Sequence, residues 1–312
     1  MATMFDSYAL KGDVFSWDAA VSLCNFSFFT YESNPKSLFI LSQGQVLEVF
    51  DFKDTDSRAL AYFDGTNIFI AFRGTQAGLA IENLLQPTDP ALMDFKIDAD
   101  FHQVVFPGFP SAAVHQGFFD SMDGLWQGLD TFIKTKAPKA VIFCGHSLGG
   151  AIAILAAARA QRLHMPVDSV YTFGSPRAGN SSFADAYNTL LGNRTYRLVT
   201  LKDLVPRLPF KEPGLLEHLN TAIAGHTFLS FLSRLKITQE LDYSHAGKTL
   251  FVDAVPLLTD WASHVSSPPL GEVSEFIREK AKAHLSYPTV IPDAKSKYGT
   301  LPLNFLLMKS PC

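Results

Sequence analysis

Apolar positions along this chain change their spacing several times, and each change marks an element. Between residues 13 and 31, Val14, Trp17, Ala20, Val21 and Leu23 recur at helical spacing. Compact apolar runs follow at Leu38–Leu41, Val46–Phe52, Ala59–Phe63 and Ile68–Phe72, and these read as strands. Gly44 and Asp64-Gly65 supply turns between them. Residues 76–93 show no clear period, and Pro87 and Pro90 break any long helix there. From about residue 115 helix and strand patterns alternate. Gly117–Thr135 reads as helix, Ala140–Cys144 as strand, Leu148–Leu163 as helix, and Val170–Phe173 as strand. Ser181–Leu191 then reads as helix, and Thr195–Thr200 as strand. This alternation predicts an α/β fold, a mainly parallel sheet with helices on both faces.

Residues 211–237 interrupt the alternation. Leu215, Leu216, Leu219, Ala222 and Ile223 keep helical spacing, as do Phe228, Leu229, Phe231, Leu232 and Leu235, with Gly225 as a break. This reads as a helical insertion, either packed on the body or capping a pocket. A last strand-like run is Thr249–Val252.

Length and charge narrow the classes. A chain of 312 residues suits a single large α/β domain, 1–312. A net charge of -4 without a long basic block argues against nucleic acid as a partner. No apolar stretch reaches the roughly 18 residues of a membrane-spanning helix, so no transmembrane segment is expected. The start, Met1 to Val21, carries Asp6, Asp13 and Asp18 and lacks the basic start and apolar run of a signal peptide. Compartment stays open, secreted or cytoplasmic. The three cysteines, Cys24, Cys144 and Cys312, are too few for a disulfide scaffold, although a single Cys24–Cys312 bridge fits the count. Cys144 reads as a small buried hydrophobe. No His, Cys, Asp or Glu cluster has metal-ligand spacing, so neither a metal nor another cofactor is expected.

The chemistry concentrates at Gly145-His146-Ser147-Leu148-Gly149-Gly150. An apolar strand precedes it and an alanine-rich helix follows it, the context of a Gly-x-Ser-x-Gly nucleophile elbow. Glycines permit the tight turn, and Ser147 comes to its apex at a helix N-terminus, where negative charge is favoured. A serine hydroxyl needs a histidine to take its proton and a carboxylate to orient that histidine. Asp203, just past a strand end, satisfies the chain order Ser, acid, His. Five histidines follow it: His218, His226, His245, His264 and His284. His146 cannot easily turn back to the serine beside it, and it reads as support, as does His115.

Around this turn the chain resembles the class 3, fungal-lipase-like branch of the α/β-hydrolases. Four blocks carry the resemblance: Ile70-Ala71-Phe72-Arg73-Gly74-Thr75, then Val114–Ser121, then the turn with Tyr171–Asn180, then Val199–Pro209. They fall in the family's order. The resemblance implies an α/β-hydrolase fold and a triad of Ser147, Asp203 and His284. His284 lies in a block like the family's His-Leu-Ser-Tyr, although Ala283 stands where fungal members often carry aspartate. His245 is the runner-up, in a Tyr-Ser-His-Ala-Gly block where the family's histidine is not the base. The remaining three histidines read as surface or insertion residues.

The same resemblance assigns the oxyanion donors to the backbone N–H groups of Leu148 and Thr75, and the lid to residues 76–93. Leu79, Ile81, Leu84 and Leu85 give that segment an apolar side. It lacks the lid tryptophan of some fungal lipases. The expected activity is a serine ester hydrolase, most simply a triacylglycerol lipase, with a lipid or other ester as substrate and transient contact with a lipid–water interface. Phospholipase A1, feruloyl esterase and short-chain carboxylesterase share the same site. A non-catalytic lipid-binding protein is the rival from a different class, disfavoured because every triad member is present.

Overall fold

The structure, a computed structural model, describes residues 12–74, 102–201, 203, 205–209, 242–252 and 286–298. Its centre is a seven-stranded sheet in the order β1-β2-β3-β6-β7-β8-β9. The strands are β1 (Val46–Phe52), β2 (Ser57–Phe63), β3 (Ile68–Phe72), β6 (Val141–His146), β7 (Val167–Phe173), β8 (Thr195–Val199) and β9 (Lys248–Phe251). β1, β2 and β3 pair antiparallel as a meander. From β3 onward every pairing in this sheet is parallel. A separate ribbon joins β4 (Gln103–Val105) to β5 (Ala113–His115).

Helices cover both faces, as an α/β pattern requires. On one side lie α2 (Gln116–Lys136), α3 (Leu148–Arg162) and α4 (Ser181–Leu191), packed on Ala59, Ile70, Phe143 and Val170. The other side carries α1 (Trp17–Phe29) and α5 (Tyr287–Tyr298), packed on Leu60, Phe69, Ile142 and Tyr171. The alternation along β6 explains the split: Val141 and Phe143 face one layer, Ile142 and Cys144 the other. Burying each large apolar side chain contributes about 1.5–3 kcal/mol, so these two layers dominate the stability.

Several local expectations need correction. Leu38–Leu41 is not a strand. Pro35–Leu38 forms a 3₁₀ turn, and Ile40 beyond it is 82% exposed. Strand β1 ends the sheet on this side, and the run turns away without pairing to it. Cys24 is a free, buried thiol on α1, which overturns the Cys24–Cys312 bridge. The ribbon and helix α5 are elements that the spacing did not reveal. Segments 76–93 and 211–237 lie outside the described residues. Among the described residues no helix is long and apolar enough to cross a membrane.

Candidate active site

Strands β3, β6 and β8 point their carboxyl ends to one rim, where open α/β sheets bind ligands. Ser147 follows β6 there as the N-cap of α3, with φ 59° and ψ -133°. That is a sparsely populated conformation for any residue with a Cβ, at a cost of order 1–3 kcal/mol. The surroundings impose it. Ser147 N–H donates to the Phe173 carbonyl at 2.9 Å, and the Ser147 carbonyl accepts from Gly150 N–H at 2.9 Å. The hydroxyl makes no capping bond to the helix. Leu148 opens α3, so its N–H belongs to the first turn, which has no intrahelical acceptors.

Three glycines allow the packing. A Cβ on Gly145 would stand 2.2 Å from the Gly149 carbonyl oxygen, and one on Gly149 would stand 2.1 Å from that of Phe72. A Cβ on Gly150 would meet Ser175 Cβ at 2.6 Å. Helix α3 therefore presses directly on the ends of β3 and β6.

Asp203 lies just past β8 and is fully buried. Its carboxylate is nonetheless well supplied with donors. Val205 N–H donates to Oδ1 at 2.9 Å, and the Tyr287 hydroxyl donates to Oδ2 at 2.8 Å. Tyr287 in turn accepts from Thr200 N–H at 3.2 Å. Burial, and next the Asp203 carboxylate, push the Tyr287 phenol well above its usual pKa, so it keeps the proton it donates. Tyr287 stands three residues after His284 and begins α5.

The loops beyond β7 and β8 are joined by Arg177. Its guanidinium donates to the carbonyls of Arg207 and Pro209, and its N–H to the Leu208 carbonyl at 2.9 Å. Arg197 lies beneath in β8, donating to Thr249 Oγ1 at 2.5 Å. Burial and the neighbouring Arg177 charge push its pKa down to about 9.

His146 is buried among rings, 4.5 Å from Phe28 and 5.9 Å from Tyr287 between centroids, with Nδ1 3.0 Å from the Tyr31 hydroxyl. It supports the turn, as expected. His115 caps α2, accepting from Gly117 N–H through Nδ1 at 3.1 Å, and stacks on Phe118. His245 belongs to a segment fastened along α4: Ser244 N–H donates to Gly179 and Gly247 N–H to Asn188. Thr75, His218, His226, His264 and His284 lie outside the described residues.

The structure thus brings Ser147, Leu148 and Asp203 to one rim. It adds Tyr287, Arg177 and Tyr31, which the reading of the chain had not assigned. The three-residue step from His284 to Tyr287 was an available signal for the first, and the Pro-Arg pair for the second. Nothing local marked Tyr31. Among the described residues no group of His, Cys, Asp and Glu could hold a metal ion.

Comparison with known proteins agrees with this fold. The family model for lipase (class 3) matches residues 69–212. The chain is 35% identical over 183 residues to toxin TseL of Vibrio cholerae, covering 55% of this chain and 27% of the toxin. It is 32% identical to the secreted mono- and diacylglycerol lipase LIP4 of Malassezia restricta, covering 47% and 48% of the two chains. It thus spans about a quarter and about half of these two relatives. Against the secreted mono- and diacylglycerol lipase A of Penicillium camembertii it is 27% identical, covering 83% and 88%. In structure it is similar to the Rhizomucor miehei lipase–propeptide complex, with TM-score 0.54, 21% identity, and 87% and 79% covered. That likeness gives the α/β-hydrolase fold. With its blocks in order over residues 69–212 and lipases among its relatives, the chain is similar to the class 3, fungal-lipase-like family.

Proposed function

We propose that this chain is a serine ester hydrolase of the lipase type, acting on acylglycerols, triacylglycerols included. The observation that carries the reading is the pairing of a strained Ser147 at the head of α3 with a buried, doubly hydrogen-bonded Asp203 two strands away. Neighbouring strands lie about 4.8 Å apart, so two spacings come to roughly 10 Å. One imidazole with a hydrogen bond at each end suits that gap. His284 is our choice for it, because Tyr287 brings its block to Asp203. The His245 segment is instead anchored along α4.

In this mechanism Ser147 Oγ attacks the ester carbonyl while His284 takes its proton. Asp203 holds the imidazole in the correct tautomer and stabilises the imidazolium. The N–H groups of Leu148 and Thr75 receive the oxyanion. His284 then protonates the leaving glyceride alcohol, and water hydrolyses the acyl-enzyme by the reverse route.

The test is tributyrin hydrolysis across its solubility limit, with an active-site serine phosphonate as label and Ser147→Ala as blank. Turnover and labelling, both lost in Ser147→Ala, are the expected results. A chain that is neither labelled nor active overturns the reading and favours a lipid-binding role. A jump in rate at the emulsion boundary assigns residues 76–93 as a moving cover; saturation below it makes them a fixed wall.

A further inference from the structure

The described residues contain one contact that joins three distant pieces of chain at this rim. Tyr31 stands just beyond α1, far in sequence from both its partners. Its hydroxyl oxygen accepts from Gly74 N–H at 3.1 Å and lies 3.0 Å from His146 Nδ1. A phenol has one proton to give. Its oxygen can accept as well, so the phenol bridges Gly74 N–H and His146 Nδ1 with either imidazole tautomer. Burial pushes the phenol's pKa above its usual value, so the proton stays in place through the neutral range.

Both partners flank the proposed chemistry. His146 is the residue before Ser147, and Gly74 is the residue before Thr75. Gly74 is also pressed into the turn itself. A Cβ there would stand 2.3 Å from the Tyr31 hydroxyl, 2.9 Å from the His146 carbonyl oxygen and 3.1 Å from Ser147 Cβ. Only glycine lets the end of β3 approach so closely. The approach leaves the separation between the Gly74 backbone and the Ser147 turn to be set by a rigid body, and the phenol is that body.

We infer that Tyr31 is a positioning residue for the oxyanion donors, holding the Gly74 backbone in register with Ser147 through Gly74 N–H and His146. The inference rests on the ester-hydrolase reading above. Its physical basis is the short range of an oxyanion hydrogen bond: a donor works only within a few tenths of an ångström of its place, about 2.7–3.1 Å from the oxyanion. Tyr31 touches no substrate in this role. It acts through the backbone it holds.

Tyr31→Phe isolates the role, because it removes the hydroxyl and keeps the ring packed beside Phe28 and His146. Three quantities are read: kcat and KM on a soluble butyrate ester, per site titrated with phosphonate, and the inhibition constant of butylboronic acid. The serine–boronate adduct is tetrahedral and carries an oxyanion; the ground-state ester does not. The expected outcome is a fall of about tenfold or more in kcat, less than the full loss of an oxyanion donor. KM stays unchanged, and boronate binding weakens by the same factor as kcat. Gly74→Ala pushes the same backbone away from the Tyr31 hydroxyl and the Ser147 turn and should give the same paired loss.

A merely structural tyrosine would lower the melting temperature and the titratable fraction while leaving kcat per titrated site and boronate affinity alone. That result overturns the inference, and so does an unchanged boronate affinity in Gly74→Ala where Tyr31→Phe does not fold. A wild-type chain without ester turnover or labelling removes the underlying reading, and the inference with it. Wild-type turnover with an unaffected Tyr31→Phe removes the inference alone.

Discussion

The backbone of Ser147 is strained in a way its replacement can relieve. At φ 59° and ψ -133° a Cβ crowds its own peptide, and glycine does not share that penalty. Ser147→Gly should therefore lose the proposed esterase activity and gain about 1–3 kcal/mol of stability, measured by urea unfolding. A destabilised glycine variant would show that this geometry costs the fold nothing. Ser147 and Asp203 were legible in the chain because their chemistry imposes local patterns, a glycine-flanked turn and a carboxylate past a strand end. Tyr31 and Tyr287 were not assigned, because their roles exist only across the fold. Tyr31 meets His146 at a separation of 115 residues, and Tyr287 meets Asp203 at 84. The step from His284 draws attention to Tyr287, but no spacing rule predicts either long-range contact.

At the scale of elements, the alternating stretch read well because each strand is buried on both faces and each helix follows within a few residues. Helix Ser181–Leu191 has the expected bounds, and Leu148–Arg162 ends one residue short of them. What failed was a hydrophobic run with no partner strand, Leu38–Leu41, and a ribbon whose strands have only three residues each. Helix α5 gives a prediction at this scale. It begins at Tyr287, whose hydroxyl ties the helix to the acid loop. Tyr287→Phe should leave a buried carboxylate oxygen short of a donor, costing about 1–3 kcal/mol of stability. Because the same oxygen helps to hold Asp203 against the base, kcat on a soluble ester should drop while KM holds. An unchanged kcat at full thermal stability would detach α5 from the mechanism. Gly149→Ala acts at the joint between α3 and β3. With backbone 2.1 Å from the new methyl, it should cost several kcal/mol and show as a lowered urea midpoint.

For the molecule as a whole, pH dependence of stability follows from His115. Burial pushes its pKa down to about 4 from an ordinary value near 6.5. Below about 6.5 the unfolded chain takes up a proton that the folded chain refuses. Its contribution is complete above about pH 6.5 and lost progressively as pH falls toward about 4, reaching on the order of 3 kcal/mol. Urea midpoints at pH 7 and pH 4.5 test this, and His115→Gln should flatten the difference. An equal drop in the variant would assign the acid sensitivity to other groups. Activity should also fall in acid as the proposed base charges, around its reference value of ~6.5.

The pairing of α1 with α5 on one face of the sheet also sets an order in time. Asp18 on α1 is salt-bridged to Lys295 on α5, and both helices share the layer that holds Tyr171 and Ile142. A chain leaving the ribosome offers its serine first and its buried carboxylate later. The phenol that completes that carboxylate's shell comes last among the described parts of the rim. The proposed site is thus complete only after Tyr287 has been made, and a chain cut between Asp203 and Tyr287 carries the serine and the carboxylate without the phenol that supports that carboxylate.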